Sequence, residues 1–396
     1  MRPWSDLPED LLASIANRLE DPLDSVRFRS VCSSWRSSSP MRKAFPDFSV
    51  KFPFPISPND NNDPYRQRQG YFALSKSKVY VIQPPQQENG TQESGTWLVR
   101  VKKGENGKFV LLNPLDKDLP IKNSSLKVLD LLDFRVTQVA QCYSLDFIEH
   151  FSAIPVEGHA VSVHKVLFDG SVVVGIKDYP NSLFFRRLTD DKWVLPDFEA
   201  MDIAVHKGKY FAVKDRGDVT VFDSDFRVSE TIKTPIRSCV YDRFFYLIES
   251  FGDLFLVYSY IVIGSRVQFT VYKLDEEKSQ WDEVNRLDDR TFFLSESCTF
   301  SVMAKDFLEC KRNCIYYGLN WRDGTGRLRR NLYPVDFNST ELHYRHIGVL
   351  DLVYGDCGSI ADCPGYDEIF WPPPTWLRTG SSSSGVQNVN AKRHHY

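Results

Sequence analysis

Residues 208–232 read GKYFAVKDRGDVTVFDSDFRVSETI, which is three short apolar runs separated by turn-forming residues. Residues 252–284 repeat this order, with GDLFLV, then FTVYK after a gap, then WDEV. In both blocks the first run follows a glycine, and the second contains Thr-Val before an aromatic residue. Glycine accepts the positive φ of a tight turn at no steric cost, so each block predicts three antiparallel strands. The Asp169-Gly170 pair, which also lies between two apolar runs, predicts a hairpin of the same kind.

Looser copies of this block lie on both sides of the pair, and they begin near Lys78, Gly170 and Cys314. A period of roughly 40 to 50 residues is typical of the four-stranded blades of a β-propeller. From Tyr71 to Trp376 the chain has room for about six or seven such blades. A pair of β-sandwiches is the alternative, because sandwich strands alternate in the same way.

A different pattern occupies residues 4–35, WSDLPEDLLASIANRLEDPLDSVRFRSVCSSW. Its apolar residues recur every four positions, at Leu7, Leu11, Ile15 and Leu19, and Leu12 widens this apolar stripe. This is the period of an amphipathic helix, and two shorter helical segments follow the break at Asp21-Pro22. Three helices this short are too small to bury their apolar faces alone, so we expect part of this surface to meet a partner. A helical cap that packs on the larger domain is the alternative.

Within this stretch, LPEDLL at 7–12 and SVCSSWR at 30–36 resemble an F-box. Members of that family dock on a Skp-type adaptor and through it join the cullin and RING subunits of a ubiquitin ligase. The resemblance implies a docking face that begins at the Leu-Pro pair and continues along the first helix. Its residues are Leu7, Pro8, Leu11, Leu12 and Ile15, with Leu19, Val26 and Val31 supporting that surface or its small core.

The C-terminal end of the repeat region, residues 367–377, reads DEIFWPPPTWL. Together with the N-terminal motifs it resembles the SKIP-type plant F-box proteins, in which a β-propeller-like domain of unknown function follows the F-box. Ile369 to Trp371 suit a last strand that closes the ring, and the three prolines after it lack the N–H that would extend a ladder. A proline-rich ligand for SH3 or WW domains is the alternative for the same residues.

Together these patterns predict a mainly β chain with a small N-terminal α domain, that is, a three-helix F-box followed by a β-propeller of about six or seven blades. We expect the F-box at 1–45, a proline-rich polar linker at 46–69, a β-propeller-like substrate-binding domain at 70–377 and a disordered tail at 378–396. The linker is predicted because its residues are mostly turn formers, and the tail is expected to be disordered because it has almost no apolar side chains to bury.

The whole chain has the composition of an ordinary globular protein, with 396 residues of which 42% are hydrophobic and 26% charged. Its net charge of -3 argues against broad attraction to nucleic acid or to an anionic membrane. No apolar run is long enough to span a bilayer and no signal peptide begins the chain, so we expect an intracellular protein of the nucleus, the cytoplasm or both. The eight cysteines are then expected to be reduced thiols.

The motifs do not favour metal or cofactor chemistry. Cys310 and Cys314, with Cys357 and Cys363, lack the two-residue gaps of a zinc site, so we expect no metal. No phosphate-binding loop, paired-histidine helix or Gly-x-Ser-x-Gly turn occurs, so we expect no catalytic residue and no cofactor.

The sequence therefore predicts a non-catalytic receptor subunit of an SCF-type E3 ubiquitin ligase. Its F-box would dock on the adaptor, while the propeller would hold an unknown protein substrate near activated ubiquitin. Two other functions stay open. One is a binding scaffold that engages the adaptor without turnover of its client, and the other is a propeller enzyme whose carboxylates converge in the central channel.

Overall fold

The computed structural model places three helices at the N-terminal end and strands after them. The residues that it describes are 7–19, 22–39, 51–52, 70–83, 95–103, 109–115, 134–149, 163–177, 181–236, 243–261, 267–307, 309–318, 347–360, 363, 365–366 and 369–370. The helices are α1 (Glu9–Arg18), α2 (Pro22–Ser30) and α3 (Ser33–Ser38). No helix in these ranges is long and apolar enough to cross a membrane. The predicted tail, and the predicted linker apart from residues 51–52, lie outside the described residues.

Helix α1 begins where the sequence places its start signals. Glu9 and Asp10 lie in its first turn and Arg18 in its last turn, so the charges at both ends complement the helix dipole. The Leu12 N–H donates to the Pro8 carbonyl at 3.0 Å and closes the first turn. A proline is tolerated at a helix start because its missing N–H would have no partner there, and this explains why α2 can begin at Pro22.

The strands form four hydrogen-bonded sheets within the described residues. The first sheet contains β1 (Lys51–Phe52), β2 (Gly70–Gln83), β3 (Trp97–Lys103), β4 (Phe109–Leu112), β5 (Arg135–Glu149), β6 (Val163–Phe168), β7 (Val172–Lys177) and β8 (Ser182–Arg187). Its order is β4-β3-β2-β5-β6-β7-β8, with β1 paired to β2. The second sheet contains β9 (Asp202–His206), β10 (Lys209–Val213), β11 (Val219–Phe222) and β12 (Val228–Ile232), which pair in chain order.

The third and fourth sheets follow in the chain. The third contains β13 (Arg243–Ser250), β14 (Asp253–Ile261), β15 (Val267–Asp275) and β16 (Gln280–Val284), which also pair in chain order. The fourth contains β17 (Arg290–Leu294), β18 (Thr299–Met303), β19 (Cys314–Gly318), β20 (Ile347–Asp351) and β21 (Gly355–Ser359), in the order β18-β17-β19-β20-β21. β17 and β19 are parallel, and the other paired strands are antiparallel.

The sheets follow one another around a ring. β9 contacts β6 on one side and β13 on the other, β13 contacts β18, and β18 contacts β5. Because β5 pairs with β6 in the first sheet, this series of contacts closes on itself. The closed order confirms the prediction of a propeller, and it differs from the two stacked sheets of a sandwich.

The first sheet supplies two units of the ring, one built on β2 to β5 and one on β6 to β8. Counting each of the other three sheets as one unit, the described residues form five blade-like units, whereas the repeat period predicts about six or seven. The first unit alone extends from Gly70 to Glu149, which is longer than one repeat period, and its strands β2 and β5 are 14 and 15 residues long.

The sheets in the middle of the ring are buried on both faces. In the third sheet, Leu247 and Leu256 belong to a core that is shared with Val221 of the second sheet. Their chain neighbours Ile248 and Val257 point to the opposite face and belong to a core shared with the fourth sheet. Strands that are buried on both faces must be apolar at successive positions, which explains the uninterrupted apolar runs of the sequence.

The first unit and the fourth sheet meet at a contact that we call the seam. Phe293 lies in its core and stacks on Tyr316, with ring centroids 5.1 Å apart. Ile369 is buried in the same core, and its carbonyl accepts a hydrogen bond of 2.7 Å from the Leu98 N–H of β3. Ile369 and Phe370 form a turn and a bend, so the strand predicted at Ile369 to Trp371 is absent at these two residues, and the hydrogen bond to Leu98 ties this segment to the first unit. Trp371 and the prolines after it lie outside the described residues.

A disulfide joins Cys142 of β5 to Cys298, which lies in the turn between β17 and β18. The two residues are 156 positions apart in the sequence, and their Cα atoms are 5.8 Å apart. The expectation of eight reduced thiols is therefore wrong for this pair, because the fold brings together two cysteines that no sequence spacing relates. The other cysteines whose side chains are described lie outside this bond: Cys32, Cys310, Cys314 and Cys363.

The turn between β6 and β7 is the tight hairpin predicted at Asp169-Gly170. Gly170 has a φ of 101°, and Asp169 Oδ1 accepts hydrogen bonds of 2.8 Å from the Ser171 and Val172 N–H groups. The Tyr210 hydroxyl donates to Asp169 Oδ2 at 2.9 Å and ties this hairpin to the second sheet. Burial raises the pKa of the Asp169 carboxyl, but these hydrogen bonds outweigh burial and hold the pKa below its ordinary value.

Candidate functional site

The N-terminal helices leave apolar side chains in contact with solvent. Leu11 and Ile15 on α1 are 49% and 39% exposed, whereas Leu12 is fully buried. Residues four apart lie on the same face of a helix, while adjacent residues are about 100° apart around its axis. Leu11 and Ile15 therefore form an outward stripe, and Leu12 points into the small helical core.

The second and third helices build the rest of that core. Phe28 is buried and packs on Trp35, with ring centroids 4.5 Å apart. The guanidinium of Arg29 donates to the Arg36 carbonyl at 3.1 Å, and Arg36 Nε donates to the Arg29 carbonyl at 3.2 Å. These contacts hold α3 against α2. Val31, which follows α2, is 54% exposed.

The structure divides the predicted docking residues by their exposure. Pro8, Leu11, Ile15 and Val31 are exposed, Leu7 and Leu19 are half-buried, and Leu12 is buried. Leu12 therefore occupies the supporting core, which differs from its predicted place on the docking face. The side chain of Val26 lies outside the described residues.

Arg27 of α2 connects the helices with the propeller. Its Nη2 donates to the Val136 carbonyl of β5 at 3.3 Å, and its Nη1 lies 3.4 Å from Asp24 Oδ1. The Arg27 side chain is 33% exposed, so water competes with both contacts. We therefore expect this connection to guide the orientation of the helices without adding much stability.

The inner strands of the ring carry a buried polar network. Lys165 Nζ on β6 lies 2.5 Å from Asp202 Oδ1 on β9 and 3.1 Å from the Thr299 hydroxyl on β18. Asp202 Oδ2 accepts the N–H of Leu247 on β13 at 2.7 Å. The network thus joins four inner strands and satisfies its charged groups. A carboxylate paired with a lysine is not the pair of converging carboxylates that the enzyme alternative requires.

The cysteines considered as metal ligands have other surroundings. The Cys314 thiol donates to the Arg312 carbonyl at 3.3 Å. Burial raises the pKa of the Cys310 thiol to about 11, so this sulfur is protonated at neutral pH and is a poor ligand and nucleophile. Within the described part of the chain, no three potential metal ligands lie together. Because the Cys357 side chain is outside that part, the absence of a metal stays a prediction.

The sequence reasoning missed the buried cations, of which Arg100 and Lys165 are the most deeply buried. Arg100 is 2% exposed, and it donates from Nε to the Ser77 hydroxyl at 2.8 Å and from Nη1 to the Ser297 hydroxyl at 3.1 Å. Lys165 is the second. Each stands beside an apolar run, in WLVRV of β3 and in KVLF of β6, and a basic residue at such a position is the signal that could have identified them.

A small helical domain with an exposed apolar stripe, placed ahead of a closed ring of β-sheets, defines the class of F-box proteins that carry a propeller. The F-box domain model matches residues 4–43, and the KIB1-4 beta-propeller model matches residues 71–349. The second match covers more than half of the chain, so the protein belongs to the F-box proteins with a KIB1-4 beta-propeller.

Similar proteins from Arabidopsis thaliana align with this chain along most of their length. F-box protein SKIP23 is 27% identical over an alignment 410 positions long, which covers 95% of this chain and 96% of that protein. F-box protein At4g35733 is 30% identical over an alignment 339 positions long, which covers 79% of this chain and 88% of that protein. Among solved structures, the N-terminal domain of Nup159 has a TM-score of 0.31 and 9% identity, covering 56% of this chain and 64% of its own. That overlap is too low to support an argument about fold or function.

Proposed function

We propose that the protein is a substrate receptor of an SCF-type ubiquitin ligase. Its F-box would dock on a Skp-type adaptor, which links it to the cullin and RING subunits, and its propeller would hold a protein substrate. The observation that carries this proposal is the exposure of Leu11 and Ile15 on a helix whose inner residue Leu12 is fully buried. Adjacent apolar residues are thus separated into a surface for a partner and a core for the domain itself.

The proposed docking residues have two roles. Pro8, Leu11, Ile15 and Val31 would contact the adaptor, because they are exposed. Leu7, Leu12 and Leu19 would support the shape of that surface, and Val26 belongs to one of these two groups. The proposed domain boundaries are those predicted from the sequence, with the F-box at 1–45 and the substrate-binding propeller at 70–377.

No catalytic side chain is needed for this role. Holding a substrate near a ubiquitin-charged enzyme raises its local concentration, and well-oriented proximity supplies a large part of a bimolecular barrier. The propeller contributes a rigid frame, because the sheets in the middle of the ring are buried on both faces and the inner strands are joined by the Lys165–Asp202 network. We place this activity in the nucleus or the cytoplasm, where the ligase subunits would meet the receptor.

The test is adaptor binding by a Leu11→Ala, Ile15→Ala double variant of the full chain. About half of each side chain is available for burial by a partner, so removing both is expected to weaken binding roughly tenfold to a hundredfold. Val228→Ala is the matched control, since Val228 is 59% exposed on β12 and lies outside the F-box. Adaptor affinity is measured by titration, with circular dichroism as the folding control. Wild-type affinity in the folded double variant would overturn the proposal.

A binding scaffold without turnover is the alternative that shares the same docking surface. Affinity purification with and without inhibitors of the proteasome and of cullin activation separates the two. A client that accumulates on the receptor when turnover is blocked supports the ligase role. A client whose capture is unchanged supports the scaffold.

A further inference from the structure

The disulfide between Cys142 and Cys298 crosses the seam of the ring. Cys142 lies on β5 in the first unit, and Cys298 lies before β18 in the fourth sheet. Both residues are buried, at 3% and 5% exposure, within the core that contains Phe293. The bond therefore fastens the two ends of the ring to each other.

A second contact holds the same two segments without sulfur. Arg100 donates to the hydroxyls of Ser77 and Ser297 at 2.8 and 3.1 Å. Ser77 is the register partner of Cys142 in the pairing of β2 with β5, and Ser297 directly precedes Cys298. The guanidinium bridge thus holds a residue beside each cysteine, and neither sulfur takes part in it. If the disulfide is reduced, the two thiols stay close, and their reoxidation is an intramolecular reaction.

We infer that Cys142 and Cys298 form a reversible redox modification site that locks the seam of the propeller. This goes beyond the proposed function, because it concerns the propeller alone and needs neither adaptor nor substrate. In the nucleus or cytoplasm the glutathione and thioredoxin systems keep most thiols reduced, and disulfides there are mainly transient or redox-sensing. The bond then forms only when an oxidant is present, and the oxidant that we propose is a peroxide such as hydrogen peroxide.

The chemistry balances with two thiols and one peroxide. The thiolate of one cysteine attacks a peroxide oxygen, the O–O bond breaks, and a sulfenic acid and hydroxide form; the hydroxide takes up the thiol proton as water. The second thiol then attacks the sulfenic sulfur, the S–S bond forms, the S–O bond breaks, and a second water leaves. A small dithiol reverses the reaction and becomes a disulfide itself.

The burial of both cysteines determines which reductants can reach the disulfide. A protein-sized oxidoreductase cannot contact sulfur atoms of residues that are 3% and 5% exposed while the seam is closed. Reduction by a small dithiol then depends on local opening of the seam, which urea favours. We therefore expect low urea concentrations, below the unfolding transition, to accelerate reduction by dithiothreitol at least severalfold.

The experiment compares the full-length chain after treatment with equimolar hydrogen peroxide and after treatment with dithiothreitol. Both samples are denatured, alkylated and digested. The chain has eight cysteines, so the reduced form is expected to show eight alkylated thiols and the oxidised form two fewer, with one linked peptide pair that joins residues 142 and 298. The melting temperature is expected to be roughly 5 to 10 °C higher in the oxidised form, because a bond across a long loop restricts the unfolded chain.

Two variants separate this site from other oxidations. Cys142→Ser with Cys298→Ser is expected to lose the peroxide-dependent rise in melting temperature, while Cys32→Ser, in the F-box, is expected to keep it. Eight alkylated thiols in the oxidised wild type would overturn the inference without use of any variant. A linked peptide that joins other cysteines, or an equal peroxide response in the folded double variant, would overturn it as well.

Discussion

The helical domain exposes some of its large apolar side chains to solvent, whereas the propeller buries side chains of the same kind. Leu11 and Ile15 keep about half and two fifths of their surface in water, whereas Val257 and Phe293 in the ring are at most 1% exposed. The difference follows from size and closure. Three short helices provide too little surface to cover all their apolar residues, while a ring supplies each sheet with a neighbour on both sides. An exposed apolar stripe on the smaller part therefore indicates a partner, and the buried sheets indicate a domain that is complete in itself.

The largest expected effect contrasts one side chain from each region. Phe293 stacks between Phe300 and Tyr316, with centroids 4.7 and 5.1 Å away, so Phe293→Ala is expected to cost about 3–5 kcal/mol of unfolding free energy. Ile15→Ala is expected to cost less than about 1 kcal/mol in the absence of the adaptor, because the side chain is already partly in water. Urea denaturation of the full-length variants measures both. An equal loss for Ile15→Ala would mean that α1 is a structural cap of the propeller.

The next effect tests whether the ring depends on its buried charges. Lys165→Ala leaves the Asp202 carboxylate buried without its cation, so we expect a loss of about 3 kcal/mol. Lys165→Met with Asp202→Asn removes both charges and keeps an oxygen for the Leu247 N–H, so most of the stability is expected to return. The two variants are compared by urea midpoints. If stability did not return in the double variant, the attraction between Lys165 and Asp202 would itself hold the inner strands. The loss in Lys165→Ala would then not be explained by a buried charge left without its partner.

A smaller effect concerns pH and the hairpin between β6 and β7. The folded pKa of Asp169 lies below its unfolded value, so its carboxylate stabilises the fold above the ordinary carboxyl pKa of about 4, and this contribution is lost as the pH falls through the folded pKa. Asp169→Asn is therefore expected to be less stable than the wild type by about 1 kcal/mol at pH 7, and this difference should shrink at pH 3. Urea unfolding at both pH values is the measurement. A difference that grows at pH 3 would contradict the assigned hydrogen bonds.

The smallest effect lies at the connection between the two regions. Arg27→Ala removes a partly exposed hydrogen bond to the Val136 carbonyl, and we expect a change of less than about 0.5 kcal/mol. Arg18→Ala, in the last turn of α1, is the matched control for loss of a surface arginine. Differential scanning calorimetry compares the variants. A loss of more than about 1.5 kcal/mol for Arg27→Ala alone would show that the helices and the propeller unfold as one unit.

Local pattern was enough to predict the fold class. The four-residue period identified α1, and glycine turns with alternating runs identified the strands and the Asp169-Gly170 hairpin. The number of units was less accessible, because the first unit extends from Gly70 to Glu149, well beyond one repeat period. The domain boundaries stay predictions.

The site was predicted only in part, because helical periodicity does not say which side faces a partner. Leu11 and Leu12 look alike in the sequence, and the packing of α1 alone decides that one is exposed and the other buried. The same holds for the long-range pairs. The partners of Arg100 and of Cys142 include residues 197 and 156 positions away, and no local pattern records such distances.

The bond between Cys142 and Cys298 also has a mechanical consequence. While the bond is closed, a force applied at the chain ends passes through the disulfide, and the segment of 156 positions between the two cysteines is not stretched. At about 3.4 Å per residue, roughly 500 Å of contour length is withheld from extension. Pulled from its ends, the oxidised chain would release its helices, the strands before Cys142 and the strands after Cys298, while the blades between the two cysteines carry no load. Reduction would return those blades to the path of the force.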